Sequence, residues 1–149
     1  MTVTLTDRNS EVAQALVDLL RNHWEEIPVS GPDDIYYGDQ AQYPRYPSIA
    51  VDPGTQDREL NQTGLQERIT FEMYILVVHG PVKGMEDRQF EVDSVTENCV
   101  GIIHTDRRLG GRVIHGSVTT VEPGYAVRGG ALQIVHRITW NGISNAYMP

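Results

Sequence analysis

The segment Gln66–His79 constrains the fold more than any other part of the chain. Ile69, Phe71, Met73, Ile75 and Val77 fall on one side of an extended backbone, and Arg68, Thr70, Glu72, Tyr74, Leu76 and Val78 fall on the other. That period of two is the mark of a β-strand. Alternation is strict through Tyr74, so one face there is buried. Beyond Tyr74 both sides are apolar, which requires cover from a helix on one face and from something else on the other. At about 3.3 Å per residue the segment reaches roughly 45 Å. It must bend or project from the body of the domain, and Gly80-Pro81 ends it.

The rest of the chain supplies the cover. Val12, Leu16, Leu19 and Leu20, widened by Ala13, Val17 and Trp24, predict an amphipathic helix over Ser10 to His23. Prolines at positions 32, 44, 47 and 53 break the next stretch and leave room for two short strands, Ile35 to Tyr37 and Ser48 to Val51. Gly54 to Leu65 is polar and reads as a long surface loop or an extended hairpin tip. A second helix is expected over Glu86 to His104, burying Val92, Val95, Cys99, Ile102 and Ile103. Two closing strands follow, Arg112 to Glu122 and Ala131 to Asn141, with Leu132, Ile134, His136, Ile138 and Trp140 on one face. Ile143 to Pro149 reads as a loose tail. The expectation is one α+β domain over residues 1–149, a mostly antiparallel or mixed sheet of four to five strands with two helices packed on it.

At 149 residues the chain can bury a sufficient core without disulfides or metals. Its formal charge of −8 and pI near 5.0 oppose wrapping of nucleic acid. An acidic surface suits solubility, or a passage through which DNA slides without sticking. Cys99 is the lone cysteine, so no internal disulfide forms. No apolar run approaches the length of a membrane span, and the start has no secretory pattern, so assembly in a cytoplasm is expected.

The chemical inventory offers no catalytic constellation, cofactor motif or metal box. No two of the five histidines fall at helical spacing, and Cys99 lies on an apolar stripe far from any of them. His115 and His136 are expected to face each other across the closing hairpin. The glycine pairs 110–111 and 129–130 border strands and do not form a phosphate cradle. Two groups point to contacts instead. Arg107, Arg108 and Arg112 form the basic cluster, either a solvated turn or a match for an acidic neighbour. Tyr36, Tyr37, Tyr43 and Tyr46 crowd a proline-rich loop, either as an interface or as a cap on the chain's own sheet.

In the order and length of these elements the chain resembles the tail terminator proteins of long-tailed bacteriophages, which grade into tail-completion and neck proteins. The resemblance covers most of the chain. It rests on the helix Val12 to Leu20, the strands at Tyr36-Tyr37-Gly38 and Tyr46-Pro47-Ser48-Ile49-Ala50-Val51, and the polar hairpin leading into Arg68-Ile69-Thr70-Phe71. The second helix and the Val118-Thr119-Thr120-Val121-Glu122-Pro123 strand with its returning partner complete it. It implies a ring, commonly a hexamer, in the virion at the head-proximal end of the tail tube. Such a ring stops tube polymerisation and offers a surface to the head connector, with no catalytic residue or cofactor. Its partners would be copies of itself, the tail tube protein and connector or neck proteins. DNA would cross the lumen without specific binding, past Asp57 and Glu59. A head-closure or neck protein is the neighbouring alternative, and a small-molecule-binding or enzymatic α+β domain is the alternative of another class.

Overall fold

A computed structural model describes residues 8–60, 66–81, 89–128 and 130–147. The fold is α+β: two helices, α1 (Arg8–Asn22) and α2 (Gln89–Ile103), lie on a six-stranded mixed sheet. The strands are β1 (Ile35–Tyr37), β2 (Ser48–Leu60), β3 (Gln66–Pro81), β4 (His115–Glu122), β5 (Tyr125–Arg128) and β6 (Ala131–Tyr147). Their order is β1-β2-β3-β6-β4, and β5 pairs with β6 alongside β4. Only β1 and β2 run parallel. The strand foreseen at Gln66–His79 is β3, and it sits in the middle of the sheet, flanked by β2 and β6.

One core joins the helices to one face of the sheet. Val12, Ala13, Leu16, Val17 and Leu20 of α1 meet Val95, Cys99, Ile102 and Ile103 of α2 over Ile49, Val51, Ile69, Phe71, Met73, Ile75, Val77, Ile138 and Trp140. Each large side chain buried there contributes about 1.5–3 kcal/mol. α1 lies against β1 and β2, and α2 lies against β3, β4 and β6. Trp140 fits because its ring passes over Gly116 and Gly142, where any Cβ would collide with it.

The second cover foreseen beyond Tyr74 is the proline-rich loop. Tyr36, Tyr43 and Tyr46 pack with Ala50, Leu76, Val78 and Val135 on the face away from the helices. Tyr36 and Tyr43 meet edge to face, with centroids 5.2 Å apart. The Tyr43 hydroxyl donates to Asp39 at 2.7 Å, and the Tyr46 hydroxyl accepts from Gln133 Nε2 at 2.7 Å. Arg45 ties the loop down by donating to the fully buried Asp34 carboxylate at 3.0 Å; the second carboxylate oxygen accepts from the Ser30 amide at 3.1 Å.

Several boundaries differ from the sequence reading. β2 does not stop at Val51 but runs on through Pro53 to Leu60, so the segment from Gly54 follows the extended-hairpin reading as far as Leu60; residues 61–65 lie outside the described residues. Pro53 is tolerated because β1 ends at Tyr37 and leaves β2 an edge from there on. The closing hairpin gains β5, and β4 begins at His115, after a 3-10 turn at Leu109–Gly111. The segment expected as a loose tail is strand as far as Tyr147. Residues 143–147 belong to β6 and pair with β3 from Gln66 to Thr70, because the other side of β3 there is already matched by β2. Of the expected α2 segment, 86–88 and the Val92 side chain lie outside the described residues.

Candidate functional site

His79 of β3, Thr96 of α2 and His136 of β6 form a buried polar cluster at the end of the core. Thr96 Oγ1 lies 2.8 Å from His136 Nδ1 and 3.5 Å from His79 Nε2, and the two rings meet edge to face at 4.6 Å. The expected pairing of His115 with His136 does not occur. His136 stands opposite Val77 and His115 opposite Ile143, because β4 pairs with the later part of β6. The register of β3 with β6 brings His79 to His136, and no spacing in the sequence signals it. Burial lowers the His136 pKa, partly opposed by Asp93. The Cys99 thiol is pushed up to about 12 by burial, so it carries no thiolate at neutral pH. Among the described residues, no group of three or more His, Cys, Asp or Glu is placed to hold a metal ion.

His104 links the helix layer to the sheet margin. Its Nε2 accepts from the Val118 amide at 3.1 Å, so that nitrogen is unprotonated, and burial aided by Arg107 lowers its pKa. Both imidazoles titrate lower folded than unfolded. Their stabilising contribution is therefore present above the unfolded value near 6.5 and is lost as the pH falls through the folded values. Urea denaturation is expected to give a lower midpoint at pH 5 than at pH 7.5. Asp52, whose pKa burial raises with help from Asp39, opposes that trend. The His104→Gln/His136→Gln variant isolates the imidazoles: its midpoint should change much less over the interval, and an unchanged pH slope would refute the assignment.

The outward groups lie on three surfaces. The first is the sheet face opposite the helices, beyond the tyrosine loop. There Arg137 pairs with Glu122 at 2.9 Å and lies over the Tyr74 ring at 5.1 Å, while the Tyr74 hydroxyl donates to Glu72. That hydrogen bond, with burial, raises the Tyr74 pKa. Asp57 and Glu59 stand on this face of β2, exposed, opposite Thr70 and Arg68. The second surface is the β5–β6 hairpin, where Tyr125, Val127 and Leu132 are 69%, 74% and 49% exposed. Val127 is paired with Leu132, and Tyr125 with Ile134, so the three continue the apolar face of β6 past the core. The third is the turn after α2, carrying Arg107, Arg108 and Arg112.

The structure separates the residues singled out in the sequence. Tyr36, Tyr43 and Tyr46 are committed to capping their own sheet, and of the four tyrosines only Tyr37 is exposed. Arg112 points at α1, 3.6 Å from Glu11, beside a polar groove of about 530 Å³ that Arg8 and Ser144 also line. Arg107 and Arg108 are exposed, and their guanidinium groups make no ion pair or hydrogen bond among the described residues. Sequence reading missed the apolar hairpin, since Tyr125 and Val127 sit between glycines in what looked like a loop. The signal was there in the alternation of Tyr125, Val127, Leu132 and Ile134.

No protein-family model matches this chain, and no characterised protein sequence matches it. No helix among the described residues is long and apolar enough to cross a membrane.

Proposed function

We propose that this chain is a structural virion protein of the tail terminator kind. Copies of it close into a ring at the head-proximal end of a phage tail tube, end tube growth and join the tail to the head connector. The observation that supports this most is the β5–β6 hairpin, which presents Tyr125, Val127 and Leu132 to solvent, outside the core that the helices share with the sheet. Contiguous exposed apolar groups, an aromatic among them, mark protein contacts. In this reading the hairpin meets an axial partner, the tube protein or the connector, and the work is done by shape, with no turnover. The acidic balance of the chain disfavours adhesion of DNA crossing the ring.

The test is tube capping. Added to polymerising tube protein encoded by the same genome, the chain is expected to shorten the tubes and to appear as a ring at one end in negative-stain images. Val127→Asp/Leu132→Asp should weaken capping about tenfold or more while leaving the fold intact. Tubes of unchanged length, with no ring at either end, would overturn the reading.

A further inference from the structure

Two oppositely charged pairs, Asp57 with Glu59 and Arg107 with Arg108, stand exposed at opposite margins of the sheet. Asp57 of β2 is in register with Thr70 of β3, Thr70 with Ile143 of β6, and Ile143 with His115 of β4. Beside that strand end, the Arg107 carbonyl accepts from the Gly116 amide at 2.7 Å. This cross-strand row spans about 14 Å from β2 to β4; Asp57 stands at one end with Glu59 two residues further along β2, and Arg107, followed by Arg108, lies just beyond the other. All four are exposed, and none makes a side-chain ion pair or hydrogen bond among the described residues. Exposed apolar side chains lie next to each site in the chain: Leu60 follows Glu59, and Ile114 precedes His115.

From this arrangement we infer that copies of the chain join margin to margin, with Arg107 and Arg108 of one facing Asp57 and Glu59 of the next. The inference rests on the ring reading and assigns it a lateral contact. Asp57 and Glu59 then face a neighbour, in place of the DNA passage. A contact between two different patches of one molecule is heterologous, and it makes a ring when the rotation from copy to copy closes. Strand addition is not the means along the first half of β4. There the Gly116 and Val118 amides are already taken by the Arg107 carbonyl and His104 Nε2, which leaves side chains to make the contact.

Charge reversal tests this on the full chain, with sedimentation velocity as the readout at low ionic strength. Wild-type protein is expected to self-associate, and to do so less as salt is added. Arg107→Glu/Arg108→Glu and Asp57→Arg/Glu59→Arg should each weaken association about tenfold or more, because like charges then meet. Circular dichroism should show both variants folded, since the four side chains are exposed and make no ion pair or hydrogen bond among the described residues. An equimolar mixture of the two variants should recover association. One then carries acid at both margins and the other base at both, so they alternate. The inference is overturned if wild-type protein stays monomeric at low salt, if either variant associates as wild type does, or if the mixture associates no better than its components. Rings that form and cap tubes in spite of reversal would sink this contact alone. Charge-dependent oligomers that never cap a tube would sink the terminator reading and leave the contact standing.

Discussion

Replacing Trp140 with alanine is expected to remove about 3–5 kcal/mol of stability. Folded domains hold only about 5–15 kcal/mol, so urea denaturation should place the variant near the edge of folding. The size follows from position. Trp140 is 1% exposed in the central core, and its ring lies over two backbone positions, Gly116 and Gly142, that have no side chain of their own. The same geometry makes a sharper test. Gly142→Ala alone should destabilise by about 1–3 kcal/mol, because its methyl must displace the indole. In a Trp140→Ala background the same change should be close to neutral, since the obstacle is gone. Additive effects of the two substitutions would show that the ring does not set the requirement for glycine.

The second large effect is expected at Asp34. This carboxylate is fully buried and accepts from Arg45 and from the Ser30 amide. Asp34→Ala should remove about 1.5–3 kcal/mol, the range for hydrogen bonds to a charged group, and strand the Ser30 amide. It also frees Arg45, whose pKa is raised chiefly by its hydrogen bond with Asp34. The loop carrying Tyr43 and Tyr46 would then lose its tether to the body of the domain. Limited proteolysis should cut the variant between residues 39 and 47 much faster than wild type. Equal cleavage rates would show that the tyrosines alone hold the loop.

Much of the architecture could be read from periodicity. The stripe Val12–Leu20 and the alternation from Ile69 to Val77 both report a face turned to one core, and both elements appear where expected. The doubly apolar half of β3 called for two covers, and α2 and the tyrosine loop supply them. What escaped was information that resides between strands. Residues 143–147 are polar and small at most positions, so nothing local marks them as strand; the unpaired flank of β3 recruits them. Register likewise brings His79 to His136, and lines up Asp57 with the margin beside Arg107. The contact candidates were legible only as residue types. Whether a tyrosine caps its own sheet or greets a neighbour depends on which way a loop folds, and three of the four turned inward.

The place of β6 carries a consequence for how the protein is made. It flanks β3 over almost its whole length and holds β4 and β5 on its other side, yet it is the last element in chain order. Contacts between segments so far apart in the chain make for slow folding. As the ribosome extends the chain, β3 emerges with one flank unmatched and stays so until the final strand appears. During that interval the nascent chain exposes a strand edge that other nascent chains can join. A cell producing many copies at once must keep them apart long enough for each to complete itself.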